Sequence, residues 1–362
     1  MKILYITNGI NGAGGLERVL SVKASYLADQ YGYDVIIATL NEEYHHPFYP
    51  FSASVHFETF GAGGSGLSYV LNYCKAVKQL VREVQPDVIS VCDDGLKGFF
   101  IPRIIGKKFT VIYERHASVM LNDSAVSHQI MKWLARDFQK LVVLTKGNLQ
   151  EWPAGNLQVI PNPVSFYPGG SSSLENKRII AVGSHSYNKG YDRLLEVWKK
   201  TADLYPDWSL EIYGKSSGNH EYENLAASMK LKNISFYAPV DNIQEKYQEA
   251  DIFVLPSRSE GFGMVLIEAM ACGLPVVSFD CPHGPADIIT TGQDGFLVEN
   301  GNIEEFADRL QRLMNDGELR KKMGRAGREQ VKKYLPEVVM KEWDALFRNL
   351  VKKENPSLLP RP

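Results

Sequence analysis

The apolar positions of this chain fall into short β-branched runs, separated by longer stretches whose apolar residues recur every three or four positions. That alternation predicts strands joined by helical crossovers, and so parallel sheets covered on both faces. Strands are predicted near Ile3–Thr7, Val35–Leu40, Val55–Thr59, Val88–Cys92, Thr110–Tyr113, Leu141–Leu144 and Val159–Ile160, with helices over Leu16–Asp29 and Tyr69–Val84. Pro161-Asn162-Pro163 and then Tyr167-Pro168-Gly169-Gly170 followed by three serines interrupt the pattern and read as a linker. A second series follows at Ile179–Val182, Leu210–Tyr213, Ile234–Tyr237, Ile252–Leu255 and Val276–Phe279. Near the end, Pro336–Leu350 reads as an amphipathic helix with Val338, Val339, Trp343, Leu346 and Phe347 on its apolar side. The expected architecture is α/β: two doubly wound domains, 1–166 and 177–335, joined by a linker at 167–176, a helix at 336–352 packing back towards the first domain, and a flexible tail at 353–362. In such folds ligands sit at the carboxyl ends of the strands, here in a cleft between the domains.

Composition narrows the class without naming a chemistry. A chain of 362 residues, 44% of them apolar, is enough for two cores of ordinary size. Forty basic against 42 acidic residues give a net charge of -2, which lacks the excess that a general nucleic-acid binder carries. No apolar stretch reaches bilayer length and the first residues lack a signal-peptide core, so a cytoplasmic location is expected. Cys74, Cys92, Cys272 and Cys281 are scattered, with neither zinc spacing nor a disulfide framework.

The densest chemistry runs from Pro256 to Pro275. A strand ends at Pro256, a turn containing Glu260, Gly261, Phe262 and Gly263 follows, and a helix starts near Gly263 and stops at Gly273. The first-turn amides of such a helix lack intrahelical acceptors and suit a phosphate or sugar hydroxyls. Glu260 precedes the helix and Glu268 lies inside it, so both carboxylates can face one ligand. Either acid alone would read as a helix-terminus charge or a solvated surface residue.

This segment resembles the EX7E signature of retaining glycosyltransferases of family four, which have the GT-B fold, and the similarity runs from the Gly-Gly loop near residue 14 to the helix near residue 345. The resemblance implies that Glu268 binds the ribose hydroxyls of a sugar nucleotide. It makes Glu260 the catalytic group that stabilises positive charge at the anomeric carbon, and it directs the amides of Phe262, Gly263 and Met264 at the sugar or the diphosphate. Gly12-Ala13-Gly14-Gly15-Leu16-Glu17-Arg18 resembles the family's N-terminal loop, where Gly14 and Gly15 face the donor diphosphate and the acceptor; the third glycine of a dehydrogenase fingerprint is missing. Lys189, in Val182–Gly190, matches the family lysine that pairs with donor phosphates, but Ser184 stands where the family has arginine. His185, Lys215 or Arg258 are the candidates to replace that cation. His116 resembles the family histidine that contacts the donor sugar, although a lone histidine also suits a structural role. Arg115 is a candidate for acceptor or phosphate, and Gly284 for close approach to the ligand.

No two aspartates lie two positions apart, so the DxD metal site of the other major glycosyltransferase fold is not supported, and neither a metal nor a cofactor is expected. The implied reaction is metal-independent transfer, with retention, of a hexosyl or N-acetylhexosaminyl unit. The resemblance implies a nucleotide diphosphate-sugar donor, UDP-linked by family analogy, and as acceptor a glycan or a lipid-linked oligosaccharide in cell-surface polysaccharide synthesis. Residues 97–140 carry eight Lys or Arg against Glu114, Asp123 and Asp137, interleaved with Phe99, Phe100, Ile101, Ile104, Ile105, Phe109 and Trp133. They read either as a peripheral contact with the inner leaflet or as a solvated charged face. The competing functions are a nucleotide-sugar epimerase of the same architecture and a non-catalytic sugar-nucleotide-binding protein.

Overall fold

The computed structural model describes every residue except 43–46, 93–94, 117–123, 153–154, 217 and 355–362, so most of the expected tail lies outside the described residues. The chain forms two units: Met1–Pro163 together with Pro336–Pro362, and Val164–Leu335.

In the first unit, β1 (Lys2–Thr7), β2 (Asp34–Leu40), β3 (Val55–Phe60), β4 (Val88–Val91), β5 (Val111–Glu114), β6 (Lys140–Val143) and β7 (Leu157–Val159) form one sheet in the order β3-β2-β1-β4-β5-β6-β7. Its pairs are all parallel. The central strands β4 and β5 are buried at every position, whereas the edge strand β3 exposes half of its residues, which is why the interior strands read as unbroken apolar runs. Helix α1 (Gly15–Tyr31) covers the sheet with Val19, Leu20, Ala24 and Leu27, and ends where Gly32 takes a φ of 65° and its amide bonds the Ala28 carbonyl. Helix α2 (Gly66–Val84) opens with a capping box between Ser65 and Ser68. Helix α3 (Ala125–Leu134) is capped by Ser124.

In the second unit, β8 (Arg178–Val182), β9 (Ser209–Tyr213), β10 (Ile234–Tyr237), β11 (Ile252–Leu255), β12 (Val276–Asp280) and β13 (Gly295–Glu299) form a parallel sheet in the order β10-β9-β8-β11-β12-β13. Helix α4 (Tyr191–Lys199) buries Leu194, Leu195, Val197 and Trp198 in its core, and helix α5 (Met264–Ala271) follows β11. Strand β13 was not anticipated. The stretch reads as a loop because only Phe296, Leu297 and Val298 are apolar between Gly295 and Glu299, yet it pairs with β12 along its whole length.

The segment read as a linker is built into the second unit. The Ser172 hydroxyl donates to the Ala250 carbonyl at 2.5 Å, its amide to the Cys272 carbonyl at 2.8 Å, and Leu174 is buried. The chain instead changes unit at Pro163/Val164 and again at Leu335/Pro336. Helix α6 (Pro336–Glu354) adds Val339, Met340, Trp343, Leu346, Phe347 and Leu350 to the first unit's core, while Val338, expected on the apolar side, is exposed. Among the described residues, no helix is long and apolar enough to cross a membrane.

Candidate active site

In the second sheet β8 and β11 are neighbours, and the chain order runs outward from them in both directions. Loops leaving the carboxyl ends of two such strands diverge and open a crevice. Here those loops carry Gly183–Gly190 and Pro256–Gly263. They are clasped together: the Asn188 amide nitrogen donates to the Ser259 carbonyl at 2.8 Å, the Ser259 hydroxyl to Asn188 Oδ1 at 2.7 Å, and the Arg258 backbone amide to the Asn188 carbonyl at 2.7 Å. Gly190, at a φ of 67°, lies so close to the Pro256 carbonyl that a Cβ would collide with it.

The clasp sets Lys189 against Glu260, with Nζ 2.7 Å from Oε1. Ser257 donates its hydroxyl to the same oxygen at 2.6 Å. Among the described residues Oε2 takes no donor, so one oxygen of a nearly buried carboxylate stays available to a ligand. The backbone of Glu260 is fixed by a pair of bonds to Pro282 and His283, at 2.8 and 3.0 Å. Gly263, at a φ of 98°, caps α5, and its carbonyl accepts from the Leu266 amide at 2.9 Å. Phe262 is buried edge-on against Tyr334, and Gly284 packs so tightly on the Phe262 carbonyl that no side chain fits there. Met264 opens the helix and is half-buried.

Glu268 differs from its expected setting. It is fully buried, and its oxygens accept from the Ser165 hydroxyl at 2.9 Å and the Tyr247 hydroxyl at 3.4 Å.

The candidates for the missing cation separate cleanly. Ser184 is exposed beside Ser186. His185 is buried among Tyr191, Tyr222 and Phe236, and desolvation pushes its pKa down, which disfavours the imidazolium that a phosphate contact needs. Arg258 is committed to a bidentate pair with Asp192, at 2.8 and 2.6 Å, and stacks on Tyr187, which makes it a structural pin. Lys215 is exposed on the neighbouring loop, where its carbonyl accepts from the His185 amide at 2.8 Å.

In the first unit, Gly14 caps α1 and Gly15 begins it, with Glu17 and Arg18 following in the first turn. The Glu17 carboxylate occupies the space that side chains on Gly12 and Gly14 would need, and Glu42 accepts from the Ile10 amide at 2.6 Å. At the carboxyl end of β5, Arg115 is buried and its amide bonds the Val142 carbonyl, while His116 Nε2 lies 3.1 Å from Glu114 Oε2.

Sequence reasoning missed what surrounds Glu114. Lys23 Nζ lies 2.5 Å from Glu114 Oε1, both side chains are buried, and Ser90 donates to the same oxygen at 2.5 Å. Burial alone would raise the Glu114 pKa, but the Lys23 charge and the bonds from His116 and Lys23 overcome it and push it down to about 2. The available signal was a lysine on the apolar stripe of α1, between Leu20 and Leu27. One of the scattered cysteines also lies here, with ligand atoms of Cys92, Glu114 and His116 within 4.8 Å of one another. The set fits a metal poorly, because the Lys23 ammonium already neutralises the carboxylate.

The basic stretch is partly surface and partly core. Arg103, Lys107, Lys108 and Arg136 are exposed, as are Phe100, Val126 and Trp133, whereas Phe99 and Ile101 are buried.

Comparison with known proteins agrees with this architecture. The family profile described as Glycosyl transferases group 1 matches residues 170–330. An uncharacterized glycosyltransferase of Haemophilus influenzae is 31% identical over 96% of this chain and 99% of its own length. The amylovoran biosynthesis glycosyltransferase AmsD of Erwinia amylovora is 28% identical over 96% of this chain and 99% of its own. Among solved structures, S. aureus TarM in complex with fondaparinux, alpha-GlcNAc-glycerol and UDP superposes with a TM-score of 0.83 at 16% identity, covering 96% of this chain and 99% of that one. Two parallel doubly wound sheets, a strand–turn–helix bearing both acids and full-length similarity thus coincide: the chain belongs to the glycosyl transferases group 1 family and is a glycosyltransferase of GT-B fold.

Proposed function

We propose that this glycosyltransferase moves a hexosyl or N-acetylhexosaminyl unit from a UDP-linked sugar to a glycan or lipid-linked acceptor in cell-surface polysaccharide synthesis, with retention at the anomeric carbon and without a metal. The Lys189–Glu260 pair carries the reading, because it sets a cation and a half-satisfied carboxylate 2.7 Å apart at a strand-end crevice. A departing diphosphate gains negative charge while the anomeric carbon gains positive charge, and fixed groups of opposite sign meet both. The acceptor oxygen bonds to the anomeric carbon on the face the phosphate leaves. The carbon–oxygen bond to phosphate breaks with its electron pair, and the acceptor proton passes to the departing phosphate oxygen. Glu260 stabilises this charge without forming a covalent intermediate, Lys189 and Lys215 meet the phosphates, and His116 contacts the sugar. Glu268 binds the ribose hydroxyls, and the Gly14–Gly15 loop faces the donor diphosphate and the acceptor. The nucleotide and pathway rest on TarM, solved with UDP, and on AmsD, named for amylovoran biosynthesis.

Incubation with UDP-sugars and assay for free UDP tests the reading, with the anomeric configuration of the product read by NMR. Retained configuration and a Glu260→Gln variant slowed about a hundredfold or more at saturating donor are expected. An inverted product, wild-type turnover in Glu260→Gln, or sugar interconversion without acceptor would each reject it. The basic surface of Arg103, Lys107, Lys108 and Arg136, with Trp133 and Val126 exposed beside it, is the proposed contact with anionic lipid of the inner leaflet. Sedimentation with anionic vesicles should fall as salt rises, and no binding at low salt removes the membrane contact.

A further inference from the structure

The buried network behind His116 does more than fill space. Glu114 Oε1 is occupied twice, by the Lys23 ammonium and the Ser90 hydroxyl, each at 2.5 Å, which leaves Oε2 for the imidazole at 3.1 Å. An ionised carboxylate only accepts, so the ring nitrogen facing it must carry the hydrogen. In the neutral ring the other nitrogen, Nδ1, then bears a lone pair. That nitrogen is buried and has no hydrogen-bond partner among the described residues, an arrangement that is unfavourable unless something uses it.

Lys23 decides which way this works. Left alone in its apolar surroundings, Glu114 would take up a proton and could donate to the ring, reversing the tautomer. The ammonium prevents that, and it is itself held 3.1 Å from the centre of the Trp343 ring and 5.0 Å from that of Tyr5. Helix α6, which supplies Trp343, thereby completes the enclosure of a pair that α1 and β5 provide.

We propose that Glu114, kept ionised by Lys23, is a positioning residue that fixes His116 as its Nε2–H tautomer and reserves Nδ1 as an acceptor for a substrate hydroxyl. This rests on the reading of His116 as a sugar contact.

The tautomer is read directly from two-bond proton–nitrogen spectra of histidine-labelled protein, with His116 assigned by the loss of its signal in His116→Asn. The wild type should show hydrogen on Nε2 and a lone pair on Nδ1, and the opposite pattern overturns the proposal without any variant. Lys23→Met/Glu114→Leu removes both charges together, a replacement that usually leaves stability intact. It should give mixed tautomers and lower kcat about tenfold or more, with KM changed less. In a His116→Ala background the same pair of changes should lower kcat no further, because it acts through a ring that is gone. Equal losses in both backgrounds, or an unchanged tautomer in the double variant, overturn the proposal. Wild-type kcat in His116→Ala would instead reject the sugar-contact reading, and the spectra would still decide what Glu114 does to the ring.

Discussion

Glu260 and Glu114 are both nearly buried carboxylates facing a lysine, and their second oxygens set them apart. Glu260 keeps Oε2 without a donor, whereas Glu114 spends Oε2 on His116. The first is arranged to meet a ligand and the second to hold a neighbour. The Glu114 carboxyl, at about 2, lies below its ordinary value of 4.5, so it contributes stability that is present above pH 4.5 and lost as pH falls towards 2. Burial lowers the Lys23 pKa and offsets part of that gain at neutral pH. Urea midpoints measured across this acid range should therefore fall more steeply for the wild type than for Lys23→Met/Glu114→Leu; parallel curves would show that the pair is not what titrates. At this scale Glu260, Lys189 and the glycine turn were legible, because their motif is contiguous or bounded by glycine. The surroundings of His185 and Arg258 were not: one sits in an aromatic box and the other pairs with an aspartate, and neither was predictable from local sequence.

The loops after β8 and β11 work as one element, and Gly190 is the point where they touch. Gly190→Ala would put a methyl group against the Pro256 carbonyl at a φ of 67°. A cost of about 2 kcal/mol is expected, a Tm lower by about 4–8 °C, together with loss of the Lys189–Glu260 spacing and so of kcat. Thermal unfolding and steady-state rates check both, and an unchanged Tm would mean that the clasp is loose. Elements were most legible where strands are buried on both faces. Two edges were read least well, although β3 and β10 fell where expected: β13 has three apolar residues between a glycine and a glutamate, and β7 spans Leu157–Val159 where Val159–Ile160 was expected. An edge strand is held by one neighbour, and its sequence carries a correspondingly weaker apolar pattern.

The first unit is discontinuous in sequence: residues 1–163 are completed by a helix that begins after residue 335. Trp343, Leu346 and Phe347 are buried against residues of α1 and β1, so residues 1–163 alone would expose that face together with Lys23. Expressed separately, 164–335 should unfold cooperatively, while 1–163 should aggregate or lack a cooperative transition, and a peptide spanning 336–354 should restore one. A cooperative, soluble 1–163 would mean that α6 is dispensable to the core. Local sequence was sufficient to specify the period of the buried strands and long helices, the two α/β series, the acid-bearing turn and the family, because these depend on neighbours a few positions apart. Tertiary structure alone decided that Lys189 meets Glu260 across 71 positions and Lys23 meets Glu114 across 91. Which loops become neighbours follows from strand order, and apolar periodicity is the same for every order the strands could take.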